Sequence, residues 1–322
     1  MGGGLVDDGG ARLIFGCMGL GGGWGTGPLE AAHVKAAHEA VDAALEAGIR
    51  DFDHADIYAH GKAEAAFGRV LAERPGLRDR IRLQTKCGIR LPVPDKVGQY
   101  DSSREWILAQ AEASLDRLGT EHVETLLIHR PDPLARPEEI AEAFLQLKEA
   151  GKVGRLGVSN MSAQQMRWLQ SALPETLAAN QLEMSLHRSG WLESSVLVNH
   201  DDAAEIGFPH GTVEYCQAEG IELQAWGALA QGRYSGAPGT AETGSDAAAA
   251  ALVAALAEDK GCAPEAIVLG WLLRHPARIR PVLGTSNPGR IKASGEAKRV
   301  AESMSRHEWY SLWVAARGRA LP

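Results

Sequence analysis

IRDFDHADIY, residues 49–58, carries the reading on which the fold turns. Ile49–Asp53 is a short strand-like run that closes on a carboxylate. A polar stretch ending in Tyr58 then begins where a loop should start. The same plan recurs along the chain. RLIFG (12–16), IRLQTK (81–86), HVETLLIH (122–129), VGRLGVS (153–159), LAANQLE (177–183), IELQAW (221–226) and RIRPVLG (278–284) all read as strands. Helical spacing of apolar residues fills most of the intervals: 29–47 stopped by Gly48, 62–73 ended by Pro75-Gly76, and 103–118 with Ser102 or Ser103 as N-cap and Gly119 beyond. Then come 137–150 with Pro137 in its first turn, 163–173, 211–219 closed by Gly220, 246–260, 264–275, and 288–302 as the last of the series.

Strands that alternate with helices imply a parallel sheet. Eight such units in 322 residues match an α/β fold of the closed (β/α)₈, or TIM-barrel, kind. The expectation is a single barrel domain over residues 1–322, with 1–10 a flexible N-terminal segment. The rival is an open doubly wound sheet, which favours fewer units and a G-x-G-x-x-G turn after the first strand. GLGGGWG (19–25) is glycine-rich but does not open a helix in that register.

Composition narrows the function classes. The chain is 45% hydrophobic and 23% charged, which suits a folded soluble protein, and its net charge is −8. A nonspecific nucleic-acid binder draws on a Lys/Arg surplus that is absent here. Cys17, Cys87, Cys216 and Cys262 have no metal-ligand or paired spacing, so they read as reduced thiols of a cytoplasmic protein. No signal peptide is legible, and no stretch approaches the ~18 apolar residues of a membrane span. HADIYAH (54–60) offers two histidines, but no third ligand stands at suitable spacing, so no metal site is read.

In a parallel barrel every strand delivers its C-terminal residue to one rim. Asp53, Lys86, His129, Ser159, Gln181, Trp226 and Gly284 stand at or just past strand ends and should converge there. Adjacent strands lie about 4.8 Å apart, so Asp53, Tyr58, Lys86 and His129 can form one cluster. A buried ammonium needs a carboxylate partner, which Asp53 can be for Lys86. A lysine cation beside a phenol lowers its pKa from about 10, which would make Tyr58 an acid working nearer neutrality. His129 could hydrogen-bond a substrate oxygen. Singly, each has an ordinary explanation: a turn-forming Asp, a solvated Lys, a His bonded to a backbone carbonyl. Together, at three consecutive strand ends, they favour a site.

With these residues in place, the chain resembles the aldo-keto reductases, nearest to a bacterial oxidoreductase branch, over roughly residues 11–302. The likeness rests on FDHADIY (52–58), QTKCG (84–88), LLIHRPDP (127–134), GKVGRLGVSN (151–160), NQLEMS (180–185) and VLGTSNPGRI (282–291), in matching order and spacing. The resemblance implies a (β/α)₈ barrel that reduces an aldehyde or ketone to an alcohol, or runs in reverse. The cofactor is NADPH, with NADH as the alternative. It implies a catalytic tetrad of Asp53, Tyr58, Lys86 and His129, with Tyr58 giving the proton and Lys86, supported by Asp53, tuning it.

The resemblance also lays the cofactor along the rim. Gly16, Cys17 and Met18 fall near the nicotinamide ribose; Ser159, Asn160 and Gln181 at the carboxamide; Trp226 under the nicotinamide ring, with Asp53 also counted among the cofactor positions. Gly227, Ala228, Leu229, Gln231 and Gly232 fall along the pyrophosphate. Gly284, Thr285 and Ser286 lead into Asn287, where backbone amides ahead of a helix suit an anion. Arg290 falls at the adenosine 2′-phosphate. Many members carry lysine where this chain has Gly284, which keeps NADH open. The substrate pocket is expected from Trp24, Tyr58, His129, Arg130 and Trp191, with His54, His60 and His187 able to reach the mouth. The expected partner is a small carbonyl or alcohol, with no nucleic acid or membrane, on a monomer or small homo-oligomer. Two other classes compete: a cofactor-binding accessory protein with slow turnover, and a metal-using barrel hydrolase.

Overall fold

The computed structural model describes residues 12–237, 240 and 244–322. The segment 1–10, expected to be flexible, lies outside these described residues. Eight parallel strands close into a barrel: β1 (Ile14–Gly16), β2 (Asp51–Asp53), β3 (Arg82–Cys87), β6 (Val123–Ile128), β7 (Val153–Ser159), β8 (Ala179–Glu183), β9 (Glu222–Trp226) and β10 (Arg280–Leu283). Between β3 and β6, β4 (Ile89–Arg90) and β5 (Gln99–Tyr100) make a separate antiparallel ribbon that was not read from the sequence. β10 returns to pair with β1, Ile14 against Val282, which closes the ring and excludes the open doubly wound sheet.

The helices are α1 (Ala31–Glu46), α2 (Lys62–Ala72), α3 (Arg104–Leu118), α4 (Pro137–Glu149), α5 (Ala163–Gln170), α6 (Gly190–Val196), α7 (Thr212–Glu219), α8 (Gly244–Asp259), α9 (Pro264–Leu273), α10 (Pro288–Ala293), α11 (Ala297–Ser303) and α12 (Arg306–Arg317). Local chemistry sets their ends. Ser103 caps α3 by accepting from the amide of Trp106, and Gly119 closes it in the left-handed region at φ 62°. The helix expected over 288–302 is instead split by a tight turn at Ser294–Glu296. After it comes α12, which the sequence reading lacked. Its signals are present: Ser305 and Glu308 form a reciprocal capping box, Gly318 closes the helix, and Trp309, Leu312 and Trp313 share its buried face. No described helix is long and apolar enough to cross a membrane.

Strand alternation sorts side chains into two environments. β2 sends Phe52 outward against Phe67 of α2, with ring centroids 5.1 Å apart, and Asp53 inward. β3 sends Thr85 outward to Glu64 of α2 and turns Gln84 and Lys86 into the barrel. The apolar core therefore lies between sheet and helices, while much of the barrel interior is polar.

Candidate active site

The carboxylate of Asp53 and the ammonium of Lys86 meet at the ends of neighbouring strands. Lys86 Nζ lies 2.6 and 2.7 Å from the two carboxylate oxygens and donates also to the carbonyl of His54 at 2.8 Å. Both side chains are buried, 2% and 1% exposed, so neither charge is screened by water. Three acceptor oxygens therefore face the ammonium. Burial by itself pulls the Lys86 pKa down, but the Asp53 charge and the Tyr58 phenol together raise it on balance.

Tyr58 stands over this pair, with Lys86 Nζ 4.9 Å from its ring centroid. The phenol differs from expectation. Burial pushes its pKa up, Lys86 pulls it down, and Asp53 pushes it up again, so the balance is upward rather than downward. Desolvation penalises a phenolate more than one partly neutralised cation can offset.

A strained turn presents the ring. Ala59 and His60 follow Tyr58 with φ 51° and 58°, and Gly61 continues at 84°. Two consecutive non-glycine residues in the left-handed region cost roughly 1–2 kcal/mol each and need surrounding support. The support is Arg117. A Cβ on Gly61 would stand 2.9 Å from its Cδ, and its guanidinium pairs at 2.7 Å with fully buried Glu64.

His129, at the end of β6, places its ring 6.0 Å from that of Tyr58. Burial, then the Lys86 and Arg130 charges, hold its pKa well below the usual value, so the imidazole is neutral. Asp53, Tyr58, Lys86 and His129 thus share one end of the barrel.

The positions assigned to a cofactor divide into side chains that can make contact and those that can offer only backbone. Trp226 Nε1 donates to Asn160 Oδ1 at 3.2 Å, and Asn160 Nδ2 donates to Ser159 Oγ at 2.7 Å, so the indole is held by its neighbours. Gln181 donates to Asp53 Oδ1 at 3.1 Å and to Gln224 at 3.0 Å, so its amide hydrogens are engaged inside the barrel. Cys17 is fully buried and burial keeps its thiol protonated, which leaves backbone only at Gly16 and Cys17, whereas Met18 is exposed.

In the run 227–232, Ala228 is buried, Gln231 is exposed at φ 59°, and Gly227 and Gly232 take φ 66° and 82°. Leu229 is half-buried against the core. At Gly284 a Cβ would meet nothing within 4 Å, so the cradle is open. The Asn287 amide already donates to Thr285 Oγ1, and the Arg290 amide to Asn287 Oδ1. This narrows the anion cradle expected from the sequence to Gly284, Thr285 and Ser286. The Arg290 side chain is exposed and has no ion pair among the described residues. An indole platform, an open glycine cradle and an uncommitted guanidinium together fit a dinucleotide.

Two expectations about the pocket are corrected. Trp191 does not join the cluster. It is 1% exposed on α6 and packs against Trp271 and His275 of the helical layer, at 5.7 and 5.0 Å. Its ring meets both neighbours edge-on, while its Nε1 has no hydrogen-bond partner among the described residues. His54 does not reach the mouth either: its ring packs on Phe67 at 4.7 Å, and burial, with the Lys86 charge, lowers its pKa to about 3. Trp24 is 48% exposed, and its carbonyl lies 3.1 Å from His60 Nε2. Arg130 is half-buried next to His129. His187 pairs with Asp246 at 3.5 Å. No group of three metal-ligating side chains is found among the described residues.

The sequence reading missed residues that contact the site from below. Gln84 donates to Asp53 Oδ1 at 2.5 Å, and Gln224 faces Gln84. Period-two alternation in QTK and ELQAW was their signal, since it puts Gln84 on the Lys86 side of β3 and Gln224 on the Trp226 side of β9.

Comparison with known proteins agrees with this geometry. Residues 12–306 match the model of the aldo/keto reductase family. The chain is 38% identical to a 6-dehydroglucose reductase of Agrobacterium fabrum over 96% of this chain and 95% of that protein. It is 35% identical to the oxidoreductase YdhF of Escherichia coli over 88% of each. Among solved structures, a glycerol dehydrogenase from Gluconobacter oxydans superposes with a TM-score of 0.76 at 25% identity, covering 95% of this chain and 92% of that one. An aldo-keto reductase from Klebsiella pneumoniae in complex with NADPH shares the fold, with a TM-score of 0.72 at 22% identity over 97% and 92%. With a match from Arg12 to Arg306 and a barrel mouth of this composition, the chain belongs to the aldo/keto reductase family and is an NAD(P)H-dependent oxidoreductase.

Proposed function

We propose that the protein interconverts an aldehyde or ketone and its alcohol, with Tyr58 as proton donor and NADPH preferred over NADH. The observation that carries this reading is the buried Lys86–Asp53 pair set beneath the Tyr58 ring. A bound nicotinamide supplies or accepts the hydride. The protein's own residues handle the proton and the geometry. Tyr58, held protonated by burial, gives its proton to the oxygen that gains charge as the carbonyl is reduced. Lys86 then stabilises the phenolate left behind, at a distance fixed by Asp53. His129, neutral, can hold the carbonyl oxygen through an N–H without adding a competing cation. The reductase names of relatives such as the Agrobacterium protein support the reductive direction.

Tyr58→Phe tests the chemistry. It should lower kcat by roughly 10²- to 10⁴-fold, the usual contribution of a positioned general acid, while nicotinamide binding followed by fluorescence stays near wild type. Undiminished turnover would remove Tyr58 from this role, and negligible wild-type turnover across a carbonyl panel would favour the accessory-protein reading. Arg290→Ala tests the dinucleotide preference. Loss of a charge-assisted contact should raise KM for NADPH by about tenfold or more and leave KM for NADH almost unchanged. Equal effects on both would exclude contact with a 2′-phosphate.

A further inference from the structure

Barrel interiors of this kind are usually filled by branched apolar side chains. Here three buried glutamines occupy the axis below the site: Gln84, Gln181 and Gln224, which are 8%, 2% and 3% exposed. They come from β3, β8 and β9, and the strand register sets Gln84 beside Asp53 and Gln224 beside Gln181. A buried amide is tolerated only when its donors are matched, and these are. Gln84 Nε2 donates to Asp53 Oδ1 (2.5 Å) and Gln224 Oε1 (2.8 Å). Gln181 Nε2 donates to Asp53 Oδ1 (3.1 Å) and Gln224 Oε1 (3.0 Å). Gln224 Nε2 donates to Gln84 Oε1 (3.0 Å) and Glu222 Oε1 (2.9 Å).

The direction of this network is fixed. A carboxylate only accepts, so Asp53 and Glu222 at its two ends require amide N–H groups to face them. Turning any of the three amides over would set donor against donor or acceptor against acceptor. The far end is anchored: Glu222 pairs with Arg280 at 3.3 Å, Arg280 with Asp51 at 2.5 Å, and Asp51 with Arg82 at 2.8 Å. At the near end, Asp53 Oδ1 takes Gln84 and Gln181 as well as Lys86, while Oδ2 takes Lys86.

We propose that Gln84 and Gln224 are positioning residues for the reaction: with Gln181 they fix the Asp53 carboxylate, and through it they hold Lys86 against Tyr58. Gln84 acts on Asp53 directly, and Gln224 acts through Gln84 and Gln181. Neither touches the reacting atoms. The inference rests on the carbonyl-reducing reading above and adds two residues to it.

The test uses the whole chain with a nicotinamide cofactor and a turned-over carbonyl, comparing Gln84→Leu, Gln224→Leu and Gln84→Glu with wild type. The Lys86 charge holds the Tyr58 pKa down against burial, so loosening Lys86 lets it rise. Gln84→Leu should therefore move the alkaline limb of the kcat–pH profile upward by about one unit. It should also lower kcat by about tenfold or more at neutral pH, with KM for the cofactor within about twofold of wild type. Gln224→Leu should shift the limb in the same direction but less. Gln84→Glu keeps the shape and replaces donors with a second carboxylate, so its kcat at neutral pH should fall below that of Gln84→Leu, because like charges side by side oppose each other.

Should Gln84→Leu fail to fold, Gln224→Leu carries the test alone. A lowered melting temperature with an unmoved pH profile in either folded variant would reduce the glutamines to packing and overturn the inference. If wild type turns over and Tyr58→Phe does not, the reading of the site stands whatever the glutamine variants show. If wild type does not turn over, the failure lies in that reading.

Discussion

Phe52 and Asp53 are neighbours in sequence and belong to different worlds. Phe52 points outward into the layer between sheet and helices, between Phe15 and Phe67 at 5.7 and 5.1 Å. Asp53 points inward, where every polar atom it meets is a hydrogen-bond donor. The outer layer is held by apolar contact, which is non-directional and tolerates adjustment. The barrel interior is held by matched donors and acceptors, which is directional and fails sharply when one member is lost. The contrast explains how one strand can stabilise the fold with one face and orient chemistry with the other.

Breaking the interior should have the largest effect. Lys86→Met keeps the length of the side chain but leaves Asp53 buried without its cation, a change of about 3–5 kcal/mol in stability. It also strips Tyr58 of its electrostatic partner. Chemical denaturation and kcat should fall together, with kcat down by roughly 10²-fold or more. A variant that kept wild-type kcat would show that the interior pair is merely structural.

Breaking the outer layer should be next. Phe52→Ala removes a fully buried ring and should cost about 3–5 kcal/mol, read by denaturant midpoint. In the fraction that remains folded, kcat should change by less than about threefold if the two faces of β2 are as independent as the packing suggests. A large loss of kcat at full folding would join the two regions that the geometry separates.

The change with the smallest expected effect on catalysis sharpens the boundary between them. Asp56 is 6% exposed, and burial, then Glu64, raise its pKa to about 7. The sign follows from linkage. Below about pH 3.8 both folded and unfolded states hold the proton and Asp56 is neutral in its effect. As pH rises from there toward 7, the unfolded chain releases the proton and the folded one keeps it, so stability is lost across that window. A shift from 3.8 to about 7 at 1.36 kcal/mol per unit gives an upper figure of about 4 kcal/mol above pH 7. Asp56→Asn should therefore raise the melting temperature at pH 8 and change it little at pH 4. An equal gain at both pH values would show that ionisation of Asp56 is not the cause.

The sequence by itself determined the eight strands, their order and most helix boundaries. Periodicity and glycine or proline stops are local signals, and local backbone chemistry obeys them. It also determined which residues stand at strand ends, so Asp53, Lys86 and His129 were legible as a group once the barrel was read, and the family motifs added the rest. Helix α12 carries a legible capping box at Ser305 and Glu308, although it lies beyond the eighth strand–helix unit. Only the tertiary structure decided that Trp191 leaves the rim for the helical layer, since burial there is set by Trp271 and His275, both distant in sequence. It decided the upward shift of Tyr58, because the outcome depends on how completely water is excluded around one phenol and one ammonium. It also decided that three glutamines from separate strands meet end to end beneath Asp53, since the closing of a sheet into a ring, and not any spacing along the chain, brings their amides within hydrogen-bond reach.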